Sequence, residues 1–99
     1  MGQGTTYNLT QKVSDQKSGI VLIFSFFENN VPQNWGWYAF FIPKFLVANH
    51  GGQATCFHMR WSNIDTDKVL YFDDTNFAGN AKNTETNNNR FGLRYIIGV

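Results

Sequence analysis

Residues 20–27, Ile-Val-Leu-Ile-Phe-Ser-Phe-Phe, put apolar side chains at nearly every position of one segment in a chain of only 99 residues. Alternate residues of a strand point to opposite faces of a sheet, so a strand of this composition needs cover on both sides. A domain this small has little interior, and burying both faces of one strand inside it is difficult. A threefold or twofold interface supplies the second cover, with Ile20, Leu22, Phe24 and Phe26 as the expected oligomer contacts. The alternative is a central strand whose outer face is covered by an extended segment, residues 43–49.

The remainder of the chain holds no helical period over several turns, while short aromatic and β-branched runs recur between Gly, Asn and Asp clusters. Strands are expected at 7–13, 20–27, 35–42, 54–61, 68–73 and 91–99, with 44–48 extending the third of these beyond Pro43. Turns are expected at 15–19, 28–34, 50–52, 63–67 and 74–76. In 54–61, Thr55, Phe57, Met59 and Trp61 share one face and Cys56, His58 and Arg60 the other, the pattern of a half-buried strand. The spacing predicts an all-β fold, a small antiparallel β-sandwich of jelly-roll type.

Charge narrows the function. With 8 Lys+Arg against 7 Asp+Glu the net charge is +1, too little to build the field that a phosphate backbone or an anionic membrane demands. No nucleic-acid partner is expected, and no apolar run reaches the roughly 20 residues that span a bilayer. Residues 1–15 are polar, unlike a secretory signal. Cys56 is the single cysteine, so neither a disulfide nor a zinc finger can form within the chain. Only 15% of residues are charged, and Asn, Gln, Thr and Ser supply the polar surface instead, a composition suited to neutral polar ligands.

The order of motifs resembles the C-terminal domain of tail and baseplate proteins from phages and prophages of Gram-positive bacteria. The resemblance rests on Ser18-Gly19-Ile20-Val21-Leu22, Ile42-Pro43-Lys44, Leu70-Tyr71-Phe72-Asp73-Asp74, Gly79-Asn80, Asn88-Asn89 and the closing Leu93-Arg94-Tyr95-Ile96-Ile97-Gly98-Val99. It extends over most of the chain from Tyr7 onward. What it implies is a homotrimeric β-sandwich head, carried in the virion tail after synthesis in the bacterial cytoplasm. Such a head contacts other tail or baseplate proteins and attaches the particle to a cell-wall polysaccharide or another surface glycan. On this reading residues 1–6 are a flexible start or an imposed boundary and 7–99 are a single domain of a longer tail protein. The resemblance brings no reaction, no catalytic residues and no cofactor. A purely structural capping or trimerisation domain and a small saccharide depolymerase are the rival readings.

Trp35 and Trp37 flank Gly36 beside an amide-rich loop, and a strand period would put both indoles on one face as a platform for a sugar ring. They would otherwise be core or interface aromatics, since Trp is generally well buried. Tyr38 faces the other way and is a second candidate for the exposed ring. Asn30, Gln33 and Asn34 offer paired donors and acceptors for vicinal hydroxyls, although Asn in a turn commonly serves the backbone. Adjacent Asp73 and Asp74 point to opposite sides of a strand and read as turn residues. A depolymerase would need two carboxyls about 5–10 Å apart, which any pair among Glu28, Asp65, Asp67, Asp73, Asp74 and Glu85 could meet. His50 and His58 lack a third ligand at metal-binding spacing, so no metal is expected. Residues 80–90 are either a mobile binding loop or a solvated connector.

Overall fold

The computed structural model describes residues 6–99. The protein is mostly β, built from two antiparallel sheets that share one core. One sheet has the order β1-β7-β6-β5, from Thr6–Asn8 (β1), Asn76–Ala78 (β7), Ile64–Phe72 (β6) and Ala54–Trp61 (β5). The other is centred on Gly19–Glu28 (β2). Tyr38–Pro43 (β4) and the two-residue Val31–Pro32 (β3) pair along one of its edges, and Phe91–Gly98 (β8) along the other. Residues 1–5, most of the expected flexible start, lie outside the described residues; Thr6 pairs with Ala78.

The long apolar strand is central, as its composition requires, but its faces divide differently from the expectation. Ile20, Leu22, Phe24 and Phe26 are 0–4% exposed and form the chain's own core, so none of them is available to a second copy. Phe24 meets Phe57 of the opposite sheet at 5.9 Å between ring centroids. The other face carries Val21 and Ile23, half-buried, and Ser25. Val21 lies between Phe41 and Ile97, and Ile23 between Ala39 and Tyr95. Phe41, Tyr95 and Ile97 are exposed, so the outer side of this sheet is an open apolar surface.

Residues 44–48 do not prolong the third strand. Lys44–His50 is a helix, α1, with Pro43 as its N-cap at φ −67°. The amide of Lys44 donates to the Ser18 carbonyl at 2.9 Å, the residue opposite it in the β2–β4 register, and this is the last rung before the chain turns into the helix. Proline cannot donate to a ladder but suits the entry to a helix. Val47 reaches the core, so the segment closes one end of the interior and leaves the outer face of β2 uncovered.

Two boundaries also differ from expectation. β1 stops at Asn8, and Val13–Asp15 form a 3-10 turn anchored by Asp74. The Asp74 carboxylate accepts from the Ser14 amide at 2.7 Å and from the Ser14 hydroxyl at 2.8 Å, which holds its pKa below the ordinary value. The Asp74 carboxylate therefore caps a neighbouring segment, Val13–Asp15, where a role within its own turn was expected. β6 begins at Ile64, not at Lys68, because Ser62 takes φ 55° and shortens the hairpin from β5 to Ser62 and Asn63. Asp65 and Asp67 thus become strand residues.

Residues 80–90 are a fixed edge cover. β7 pairs with only the last two residues of β6, leaving the edge of β6 open from Ile64 to Leu70. The polar segment fills that gap: Asn83 Oδ1 accepts from the Val69 amide at 2.6 Å, and Asn83 Nδ2 donates to the Val69 carbonyl at 2.9 Å. Asn88 Oδ1 accepts from the Asp67 amide, and Thr66 Oγ1 donates to the Asn87 carbonyl. Side-chain amides here substitute for a missing strand, so the Asn-rich composition serves the backbone of β6.

Candidate functional site

Phe26 and Trp61 approach each other at the ends of β2 and β5, and the Asn29-Asn30 turn, residues 33–37 and the Ser62-Asn63 turn gather at this end of the two sheets. All three tryptophans of the chain are here, and Trp35, Trp37 and Trp61 keep 37%, 45% and 47% of their surface exposed. An indole left this open forgoes part of its hydrophobic gain and is available to a ligand's apolar face.

Trp35 and Trp37 do not share a face. Gly36 between them has φ +71°, and a Cβ at that position would lie 3.1 Å from Phe26 Cβ. The left-handed residue turns the chain between the two indoles, so the strand period begins only at Tyr38. Trp35 lies over Phe26 at 4.8 Å with an interplanar angle of 21°, and the Trp61 ring stands against it at 5.0 Å and 54°. These two indoles form a corner over the inner end of β2. Trp37 instead turns to the outer sheet face, nearly parallel to Tyr95 at 6.3 Å.

Arg94 binds this second aromatic pair to the amide loop. The register between β2 and β8 shifts after Ile23, which pairs with Tyr95 while Phe24 pairs with Leu93. Arg94 is therefore the extra residue of a β-bulge, a device that re-aims a side chain. Its guanidinium donates to Ser25 Oγ at 2.9 Å, to the Gln33 carbonyl at 2.9 Å and to Asn34 Oδ1 at 3.2 Å. It lies 5.1 Å from the Trp37 ring centroid and 5.8 Å from that of Tyr95. Ser25 interrupts the apolar run at the place where the guanidinium needs an acceptor.

The other expected site residues serve mainly local ends. Tyr38 is half-buried and its hydroxyl joins the sheets, donating to the Arg60 carbonyl at 3.0 Å and accepting from the Arg60 amide at 3.1 Å. It is not an exposed platform. Asn30, with Asn29, takes positive φ in the tight turn between β2 and β3, the conformation such a hairpin demands. Gln33 Nε2 donates to the Val31 carbonyl, and Asn34 is engaged by Arg94. Sequence reasoning missed Trp61, Tyr95 and Arg94. Trp61 reads as an inner-face residue by parity, and its exposure follows from its place at the strand's last position.

His58 is a separate charged cluster on the outer face of β5 and β6. Its Nδ1 lies 2.8 Å from Asp67 Oδ1 and its Nε2 lies 3.2 Å from Asp65 Oδ1. The hydrogen bond to Asp67, and then the charges of both aspartates, raise the imidazole pKa above its ordinary value. The three groups lie on an open sheet surface and hold one another in place. Among the described residues no group of three His, Cys, Asp or Glu side chains is arranged to hold a metal ion. Among them also, no helix is long and apolar enough to cross a membrane.

No family model, no curated protein and no solved structure matches this chain.

What the aromatic end can do is therefore read from its own chemistry. It offers flat apolar surfaces at two positions, an immobilised guanidinium and several amides, which together suit a polar ring with apolar C–H faces.

Proposed function

We propose that this chain is a non-enzymatic recognition domain of a phage or prophage tail or baseplate protein, which binds a host cell-wall polysaccharide or another surface glycan. The observation that carries this reading is the exposure of all three tryptophans at one end of the two sheets. Sugar rings present axial C–H groups to aromatic faces and hydroxyls to amides, and the Trp35–Trp61 corner supplies the aromatic faces next in the chain to Asn34. A low surface charge fits a neutral polar ligand.

The architecture belongs to this proposal as a jelly-roll-like β-sandwich assembled as a homotrimer. The outer face of β2, β4 and β8 supports assembly, since Phe41 and Ile97 are exposed on either side of Val21. These residues, of opposite parity to Ile20 and Leu22, are the ones that meet a neighbouring copy. Three weak glycan sites around one axis gain by multivalency, which raises avidity by about 10²–10⁴ where the geometry permits. A purely structural capping domain draws support from the same apolar face but gives no reason for the open Trp35–Trp61 corner.

The test is retention of the purified chain on whole cells and on extracted wall polysaccharide from a panel of Gram-positive strains, with its solution mass measured alongside. Strain-selective retention that free saccharide competes away is the expected result. A trimer retained by none of the strains or extracts overturns the recognition role and leaves the structural one.

A further inference from the structure

Lys68 is a cation placed in the interior. It lies on the inner side of β6 with Thr66 and Leu70 and is only 4% exposed. Its Nζ donates to the Asn83 carbonyl at 3.0 Å. An ammonium has three protons to place, and no carboxylate lies within ion-pair distance of Lys68 among the described residues. A buried charge with no counter-charge is costly, and burial holds this pKa down to about 8.

The same side chain lines a cleft of about 460 Å³ between β8 and the edge cover of β6. Phe27, Phe91 and Leu93 give the cleft apolar walls, and Thr84 and Asn89 add a hydroxyl and an amide. Its volume falls in the range of roughly 300–1,000 Å³ typical of small-molecule sites, which combine apolar walls with a few fixed polar groups.

We propose that this cleft binds a small organic carboxylate with an apolar body, its carboxylate pairing with Lys68 Nζ. The ligand's single negative charge neutralises the single buried positive charge, and its body covers the aromatic wall. Arg94 also lines the cleft, but its guanidinium is engaged by Ser25, Gln33 and Asn34, and inorganic phosphate lacks the apolar body that the walls of Phe27, Phe91 and Leu93 require. The cleft shares Arg94 and Tyr95 with the Trp37 side of the aromatic end but not the Trp35–Trp61 corner, so naphthoate binding and glycan retention are read separately.

Two-dimensional amide NMR of the whole chain tests the site with 2-naphthoate, 2-naphthamide and inorganic phosphate as probes. Naphthoate is expected to shift the amides of Lys68, Asn83, Gly92 and Leu93 saturably, with naphthamide bound about tenfold or more weakly, as befits loss of a charged hydrogen bond. Lys68→Met keeps the length and apolar stem of the side chain and is expected to abolish that preference for the carboxylate. The proposal is overturned by any of three results: no saturable shift at these amides with naphthoate, equal affinity for the amide or for phosphate, or unaltered naphthoate binding by Lys68→Met. The comparison of the probes on the unmodified chain decides the matter even if the variant does not fold.

Discussion

The side-chain amide of Asn83 pairs with both backbone polar groups of Val69, at 2.6 and 2.9 Å, and so completes the stretch of the β6 edge, Ile64 to Leu70, that no strand covers among the described residues. Replacing Asn83 with Ala leaves a donor and an acceptor without that partner, at an expected cost of about 1–3 kcal/mol. Asn83→Asp keeps the acceptor for the Val69 amide and is expected to fall between Ala and the native residue. Urea unfolding of the three proteins checks the order. An Ala variant as stable as the parent would remove the edge-cover role.

Lys68 imposes a pH dependence of the opposite kind to a surface ion pair. Below pH 8 the folded and unfolded chains both carry its proton, and the fold bears the full burial cost. Between about pH 8 and the ordinary value of 10.5 the unfolded chain holds more proton, so stability rises with pH across that window. The shift from 10.5 to about 8 corresponds to about 3 kcal/mol. Lys68→Met is expected to match or exceed the parent's stability at pH 7 and to abolish the rise. A rise of the same size in the variant would assign it to other groups.

His58 behaves in the reverse sense. Its pKa is raised above 6.5, first by the hydrogen bond to Asp67, so its contribution to stability is complete below pH 6.5 and is lost as the pH climbs through the higher folded value. An NMR titration of the imidazole is expected to show the raised value, and Asp67→Asn to return it toward 6.5. No change on that substitution would mean that the Asp67 contact is absent in solution.

The polarity of β2 shows where sequence reasoning stops. Eight residues of near-continuous apolar character identify a central strand, yet composition alone does not say which parity faces inward, and a one-residue choice exchanges the whole set. The inner set proved to be Ile20, Leu22, Phe24 and Phe26. The mostly β character, the closing strand and the hairpin at Asp73-Asp74 were legible because alternation and turn residues are local signals. The helix at Lys44–His50 was not legible, since seven residues with Leu46 and Val47 side by side carry no period. At the aromatic end, Trp35, Trp37 and the amide loop were legible as a group. Their division between two faces was not, because it depends on the positive φ of Gly36. Arg94 was hidden for a similar reason: a bulge has no residue signature in β8.

The open outer face of β2, β4 and β8 makes its own prediction. Phe41→Lys or Ile97→Lys places a charge on that surface without touching the core, so each variant should remain folded and sediment as a monomer, whereas the parent is expected to sediment as a trimer. Trimeric mass in both variants would move the assembly surface elsewhere.

The three exposed indoles make the central claim directly measurable by their own emission. Titration with wall polysaccharide from a strain that retains the protein is expected to give a saturable blue shift in tryptophan fluorescence as sugar displaces water from the rings. Trp35→Ala and Trp61→Ala should each weaken binding about fivefold or more, the loss of roughly 1 kcal/mol or more of aromatic contact. Unchanged emission in the parent with full retention on the polysaccharide, or undiminished affinity in both variants, would contradict glycan recognition by this end of the molecule.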